Sequence, residues 1–125
     1  MRQTTQETGS VTIVDDDPAV RNSLRNLLES FGLRVRAFSS AEDFVTYRRA
    51  SDGTCLILDI QLPGMNGLEL QHHLSNRRTP ISIIFITAHG EDNVREQALL
   101  DGAAAFLSKP VSSKELLDAV HSLLK

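Results

Sequence analysis

Five short apolar runs alternate with five amphipathic stretches along this chain, and that alternation sets the class of architecture before any chemistry is considered. Val11 to Val14, Leu33 to Phe38, Cys55 to Leu58, Ile81 to Ile86 and Ala103 to Leu107 have the length and bounding residues of strands. Arg34, Val35, Arg36 and Ala37 alternate in polarity, which predicts that the second strand lies at an edge with one wet face. Between the first two runs, Val20, Leu24, Leu27, Leu28 and Phe31 share one helical face. Asp17-Pro18 supplies that helix with an N-cap and a first-turn proline, and Gly32 stops it. Ser39 with Glu42 reads as a capping box for a second helix that turns Phe44 and Val45 inward. A loop from Leu62 to Gly67 leads to a third helix with Leu70 and Leu74 inward, and Pro80 precedes the fourth strand. Val94 and Ala98 mark a fourth helix, with Glu91 and Asp92 at its positive end and Gly102 past its close. Ser112 and Glu115 open a fifth, faced by Leu116, Leu117, Val120, Leu123 and Leu124. Strand and helix in strict alternation predict a doubly wound α/β domain, a (βα)5 chain with a five-stranded parallel sheet covered on both faces.

Composition narrows the class of function more than the fold. With 125 residues, 41% apolar and 23% charged, the chain is sized for one core. We read residues 1–10 as a flexible polar leader and residues 11–125 as the domain. A net charge of -3, with Arg48-Arg49 and Arg77-Arg78 as isolated pairs, argues against direct nucleic-acid binding by this segment. Cys55 sits inside an apolar run and reads as a small buried hydrophobe rather than a redox group. No run approaches a membrane span and Met1 to Ser10 lacks an apolar signal core, so we expect a cytoplasmic protein that makes no membrane contact.

The chemistry lies at the ends of the apolar runs: Asp15 and Asp16 after the first, Asp59 after the third, Thr87 after the fourth and Lys109 after the fifth. In an open parallel sheet the ligand crevice lies beyond the carboxyl ends of the strands, so these residues converge. Three carboxylates within about 4 Å repel by on the order of 4 kcal/mol per pair at an effective dielectric near 20, which calls for a counter-charge. A hard divalent cation such as Mg²⁺ suits Asp16 and Asp59 directly and Asp15 through water, and Lys109 brings the sum of charges near zero. An aspartate between a metal and a lysine, with a hydroxyl opposite, also suits a carboxylate nucleophile toward a phosphoryl group. On this reading Asp59 attacks in line and Thr87 hydrogen-bonds a phosphoryl oxygen. Asp17 is assigned to capping, and the adjacent His72 and His73 to a solvated helix face.

Val11-Thr12-Ile13-Val14-Asp15-Asp16-Asp17, the stretch from Leu58 to Gly67, Ile86-Thr87-Ala88 and Phe106-Leu107-Ser108-Lys109-Pro110 resemble the receiver domain of bacterial two-component response regulators. The resemblance runs from Val11 to Leu124 and implies the flavodoxin-like strand order 2-1-3-4-5. It further implies that Asp59 takes a phosphoryl group from a histidine kinase or phosphotransfer protein, with Asp15 and Asp16 as the metal-binding pair. The backbone carbonyl of Gln61 is the implied third protein ligand to Mg²⁺, or to Mn²⁺ in its place. Thr87 matches the switch hydroxyl, Lys109 the phosphate-binding lysine, and Lys109-Pro110 a cis peptide. Phe106 stands where the family carries an aromatic switch residue, and without a hydroxyl its switching would rest on burial. Gln61 and His89 match positions that tune the lifetime of the phosphoryl group.

The resemblance implies a signalling switch, not an enzyme acting on outside substrates. Its output face would be built from the fourth helix, fifth strand and fifth helix, acting on an output domain, a target protein or a second copy of the chain. A regulatory domain from a longer DNA-binding transcriptional regulator is the alternative to a free-standing receiver. An aspartate-nucleophile phosphatase shares the acid and metal logic, but such enzymes carry Asp-x-Asp and this chain has Gln61 at the second position. A flavin module on the same fold needs a phosphate loop where this chain places three aspartates. A degenerate receiver that only binds partners is disfavoured because every chemical position is filled.

Overall fold

The computed structural model describes residues 10–47, 55–75, 81–88 and 92–124. Five strands, β1 (Ser10–Val14), β2 (Arg34–Phe38), β3 (Cys55–Asp59), β4 (Ser82–Thr87) and β5 (Ala105–Ser108), form one parallel sheet in the order β2-β1-β3-β4-β5. Helices α1 (Pro18–Ser30), α2 (Ala41–Tyr47), α3 (Gly67–Ser75), α4 (Asp92–Leu100) and α5 (Ser113–Leu123) alternate with them. This is the doubly wound flavodoxin-like order. Arg48-Arg49, Arg77-Arg78, Pro80, His89 and Glu91 lie outside the described residues, as does the leader up to Gly9. Ser10 belongs to β1, where it pairs with Arg34.

The period of two along the strands divides the core into two layers. Val11 and Ile13, Cys55 and Ile57, and Ile84 and Ile86 pack with Leu24 and Leu28 of α1 and Leu116 and Val120 of α5. Val14, Leu56, Leu58, Ile83 and Phe85 pack on the opposite side with Phe44 of α2, Leu70 and Leu74 of α3 and Ala98 of α4. Central β3 is buried throughout, whereas β2 alternates between exposed and half-buried positions as an edge should.

Helix boundaries follow local chemistry, with two departures from the sequence reading. Asp17 caps α1 by accepting the Ala19 N–H at 2.9 Å, and Ser112 caps α5 by accepting from Glu115 at 3.3 Å. At α2 the cap is Ser40, not Ser39: its Oγ accepts the Asp43 N–H at 3.0 Å, and the Glu42 carboxylate accepts the Met65 N–H of the loop before α3. Phe31 is the C-cap of α1, with φ -100 and ψ 13, and is 55% exposed rather than inward, because the helix ends at Ser30 and its periodicity no longer sets the direction of the next side chain.

At Gly67 the start of α3 lies close against the backbone at the end of β3. A Cβ there would stand 2.5 Å from the Asp59 carbonyl oxygen and 2.8 Å from Ile60 Cα, both backbone atoms. Gly67→Ala is therefore expected to destabilise the domain by about 1–3 kcal/mol through overpacking, read as a lowered urea midpoint with the slope unchanged.

Candidate functional site

Strand parity determines which side chains meet at the carboxyl edge. Asp15 continues the β1 ladder by one residue, its N–H donating to the Phe38 carbonyl at 3.1 Å. It follows Val11 and Ile13 in parity, as Asp59 follows Cys55 and Ile57 and Lys109 follows Ala105 and Leu107, so all three lie on the α1/α5 side. Thr87 follows Ile83 and Phe85 in parity and shares the α4 side with Phe106. The site is thus split across the sheet. Asp15, Asp59 and Lys109 occupy one side, Thr87 and Phe106 the other.

The geometry at the acid side is tight. Lys109 Nζ lies 2.9 Å from Asp15 Oδ2 and 3.0 Å from Asp59 Oδ2. Asp59 Oδ1 accepts the Gln61 N–H at 3.0 Å, and Asp15 Oδ1 accepts the Asp17 N–H at 2.9 Å. Asp15 and Asp59 are buried at 0% and 5% exposure, while Asp16 is exposed at the rim. Carboxylate oxygens of Asp15, Asp16 and Asp59 come within 4.8 Å of one another. Thr87 is fully buried, and its carbonyl accepts the Lys109 N–H at 2.9 Å, which ties the end of β5 to the end of β4. The Lys109-Pro110 peptide is cis.

Burial sets the electrostatics. It raises the Asp59 carboxyl above its ordinary value, against the lowering effect of the Lys109 and Gln61 hydrogen bonds, and Asp15 adds to the rise. For Lys109, burial opposes the charge, yet the bonds to Asp15 and Asp59 outweigh it and hold the ammonium above its ordinary value. The donor set fits a hard divalent cation: every candidate atom is oxygen, and buried Asp15 Oδ2 has an ion pair but no aligned hydrogen bond. Cys55 stands apart from this chemistry. Burial pushes its thiol up to about 12, so it carries no thiolate at neutral pH.

Asp15, Asp16, Asp59 and Lys109 are thus brought together, with Thr87 at the neighbouring strand end. The Gln61 side chain is exposed beside them, and His89 lies outside the described residues. Phe106 is half-buried with its ring 6.1 Å from that of Phe85, its partner in the β4–β5 register. Two residues absent from the sequence reading, Arg21 and Gln71, contribute, as does Glu42, which the sequence pattern assigns to a capping box. Arg21 Nη1 of α1 donates to the Asp15 carbonyl at 2.7 Å, clamping the backbone between the two first acids. Glu42 accepts the Met65 N–H at 2.7 Å. Gln71 is buried and donates to the Ala98 carbonyl at 3.0 Å, joining α3 to α4. Arg21 has a sequence signal in its place one helical turn past the acids; Gln71 has none, and the spacing of Glu42 points to a cap and not to the Met65 N–H.

Comparison with known proteins agrees with this architecture. Nodulation protein W of Bradyrhizobium diazoefficiens is 46% identical over 110 residues, covering 88% of this chain and 48% of that protein. Transcriptional regulatory protein TdiR of Thauera aromatica is 41% identical over 120 residues, covering 96% of this chain and 53% of its own length. The chain spans about half the length of the curated relatives it matches. Among solved structures, response regulator StyR superposes with a TM-score of 0.85 at 45% identity, covering 92% of this chain and 58% of StyR. A response regulator receiver protein from Burkholderia phymatum gives 0.78 at 38% identity, covering 91% and 93%. The family pattern of the response regulator receiver domain matches residues 11–121. A match that opens on the first core residue of β1 and closes within α5 takes in every strand end described above, and the chain belongs to the response regulator receiver domain family.

Proposed function

We propose that Asp59 accepts a phosphoryl group from a sensor histidine kinase or phosphotransfer protein, and that the modified site switches the surface formed by α4, β5 and α5. The observation that carries this reading is the one ammonium of Lys109 shared between Asp15 and Asp59 at the carboxyl ends of parallel strands. An Asp59 oxygen forms the new O–P bond while the P–N bond of a phosphohistidine breaks, its electron pair leaving on the imidazole nitrogen. The Gln61 N–H orients one Asp59 oxygen, and Lys109 passes from the carboxylate to a phosphoryl oxygen as charge moves outward. Asp15, Asp16, Asp59 and the Gln61 carbonyl would hold Mg²⁺ or Mn²⁺. When bound, that cation neutralises charge on the transferring oxygens.

Thr87 and Phe106 report the event because they share the side of the sheet facing α4. Drawing the Thr87 hydroxyl toward a phosphoryl oxygen changes the space beside Phe85 that Phe106 fills. Gln61 and His89 are the residues proposed to set phosphoryl lifetime. The switched face acts on an output domain, a target protein or a second copy of this chain. TdiR and FixJ of Azorhizobium caulinodans are named transcriptional regulatory proteins, and the chain spans 53% and 54% of them, which supports transcriptional control as the output. A cytoplasmic setting belongs to the same reading, and among the described residues no helix is long and apolar enough to cross a membrane.

The test is incubation of the chain with acetyl phosphate and Mg²⁺, followed by mass spectrometry. One phosphoryl group on Asp59, absent when EDTA is present, is the expected result. A phosphoryl group mapped elsewhere overturns the assignment, and steady turnover of a small phosphoester favours a phosphatase.

A further inference from the structure

The loop from Asp59 to Gly67 carries both the acceptor and the carbonyl proposed as a metal ligand, so its shape is part of the site. Each end is held by its own neighbours. At the start, Asp59 Oδ1 takes the Gln61 N–H, and the Leu62 N–H donates to the Ile60 carbonyl at 3.1 Å. At the close, Asn66 and Glu69 form a reciprocal capping box, with both bonds at 2.9 Å. The apex at Pro63, Gly64 and Met65 is exposed or half-exposed, and the Met65 side chain packs against the core layer of α2 and α3.

What holds the apex arrives from another element. Glu42, in the first turn of α2, accepts the Met65 N–H at 2.7 Å across 23 residues of sequence. That bond holds the Glu42 carboxyl below its ordinary value. A second observation points the same way: Gly64 adopts φ +74, and a Cβ built there would collide with the Glu42 carboxylate. Glycine serves the turn through its left-handed backbone and also leaves room for the incoming acid. The loop is moulded around Glu42.

We propose that Glu42 is a positioning residue for phosphoryl acceptance: its carboxylate braces the apex of the Asp59–Gly67 loop and so fixes the Gln61 backbone relative to Asp59. This rests on the function proposed above. Glu42 touches no reacting atom; it acts through the loop. Such supporting hydrogen bonds typically alter metal affinity and rate more than they alter global stability, because the braced segment is exposed and contributes little to the core.

Three variants of the full chain test the brace. Glu42→Ala is expected to weaken Mg²⁺ binding in calorimetric titration, and to slow phosphorylation by acetyl phosphate, by about tenfold, with the melting temperature close to the parent's. Amide hydrogen exchange at Met65 should accelerate in the same variant. Glu42→Gln keeps an acceptor oxygen at the same reach and should restore most of the affinity and rate; Glu42→Asp keeps the charge but is one methylene short and should resemble Glu42→Ala. Parent-like Mg²⁺ affinity and rate in both Glu42→Ala and Glu42→Asp overturn the proposal, as does a Glu42→Gln variant no better than Glu42→Ala. If the parent itself binds no Mg²⁺ and accepts no phosphoryl group, the reading of the site fails instead. A protected Met65 amide that Glu42→Ala exposes would then mark the brace as present but unconnected to that chemistry.

Discussion

Asp59→Asn is expected to abolish phosphoryl acceptance and at the same time to raise the stability of the metal-free protein. The first effect follows from chemistry: an amide oxygen is a poor nucleophile toward phosphorus and carries no charge for the transferring group to neutralise. The second follows from burial. Asp59 is 5% exposed and its carboxyl is raised above the ordinary 3.8, so the protonated acid is favoured more in the folded state than in the unfolded chain, despite Lys109. Because the folded value exceeds the unfolded one, the ionised group costs stability as pH rises from about 3.8 through the folded value, and the cost stays constant above it. Asparagine carries no such cost and keeps one acceptor oxygen for the Gln61 N–H or for Lys109, which bond separate oxygens of Asp59, while its amide NH2 donates and cannot accept from the other. At neutral pH in EDTA the variant should gain about 1 kcal/mol, the gap closing as pH falls below the carboxylate range. Mg²⁺ should narrow the gap too, by stabilising the parent more than the variant. Thermal unfolding in EDTA and in Mg²⁺ reads all three effects, and a variant less stable than the parent in EDTA contradicts the account.

The same competition between function and stability explains which parts of the molecule were legible in the sequence. Hydrophobic periodicity encodes which face of an element is buried, and Val11, Ile13, Cys55 and Ile57 on one side against Leu56, Leu58 and Phe85 on the other follow from it directly. A charged residue breaking such a run at its end, as Asp15 and Asp59 do, violates the local rule and stands out for that reason. Asp17 and Ser112 were readable as caps because a cap bonds within its own turn. Glu42 was misread for the converse reason. Its spacing from Ser39 satisfies a local pattern, yet its carboxylate bonds a backbone amide brought near only by the fold. Gln71 belongs with it: it donates to the Ala98 carbonyl of another helix, a choice that neither periodicity nor composition records. Phe31 departs in the opposite direction, since helical phase places it inward while the helix has already ended at Ser30.

Lys109→Ala should separate metal affinity from reactivity. In the folded protein one ammonium neutralises two carboxylates that burial has deprived of water, at 2.9 Å from Asp15 and 3.0 Å from Asp59. Removing it leaves both acids without their counter-charge and removes two of the causes that lower the Asp59 carboxyl, so that group rises further. With the lysine itself 19% exposed, the loss at neutral pH should be roughly 2–3 kcal/mol, below the full value for a wholly buried pair. By the linkage that governs any raised acid, the deficit should shrink as pH falls and Asp59 takes up its proton. Mg²⁺ competes with Lys109 for the same oxygens, so the variant should bind Mg²⁺ more tightly than the parent and regain much of the lost stability. Phosphorylation by acetyl phosphate at saturating Mg²⁺ should nevertheless fall by about 10²-fold or more, because a cation beside the acids cannot replace a donor placed on the phosphoryl oxygens. Weaker Mg²⁺ binding together with slower phosphorylation would mean that Lys109 shapes the acid pair and does not compete for it. Unchanged phosphorylation would remove it from the chemistry altogether.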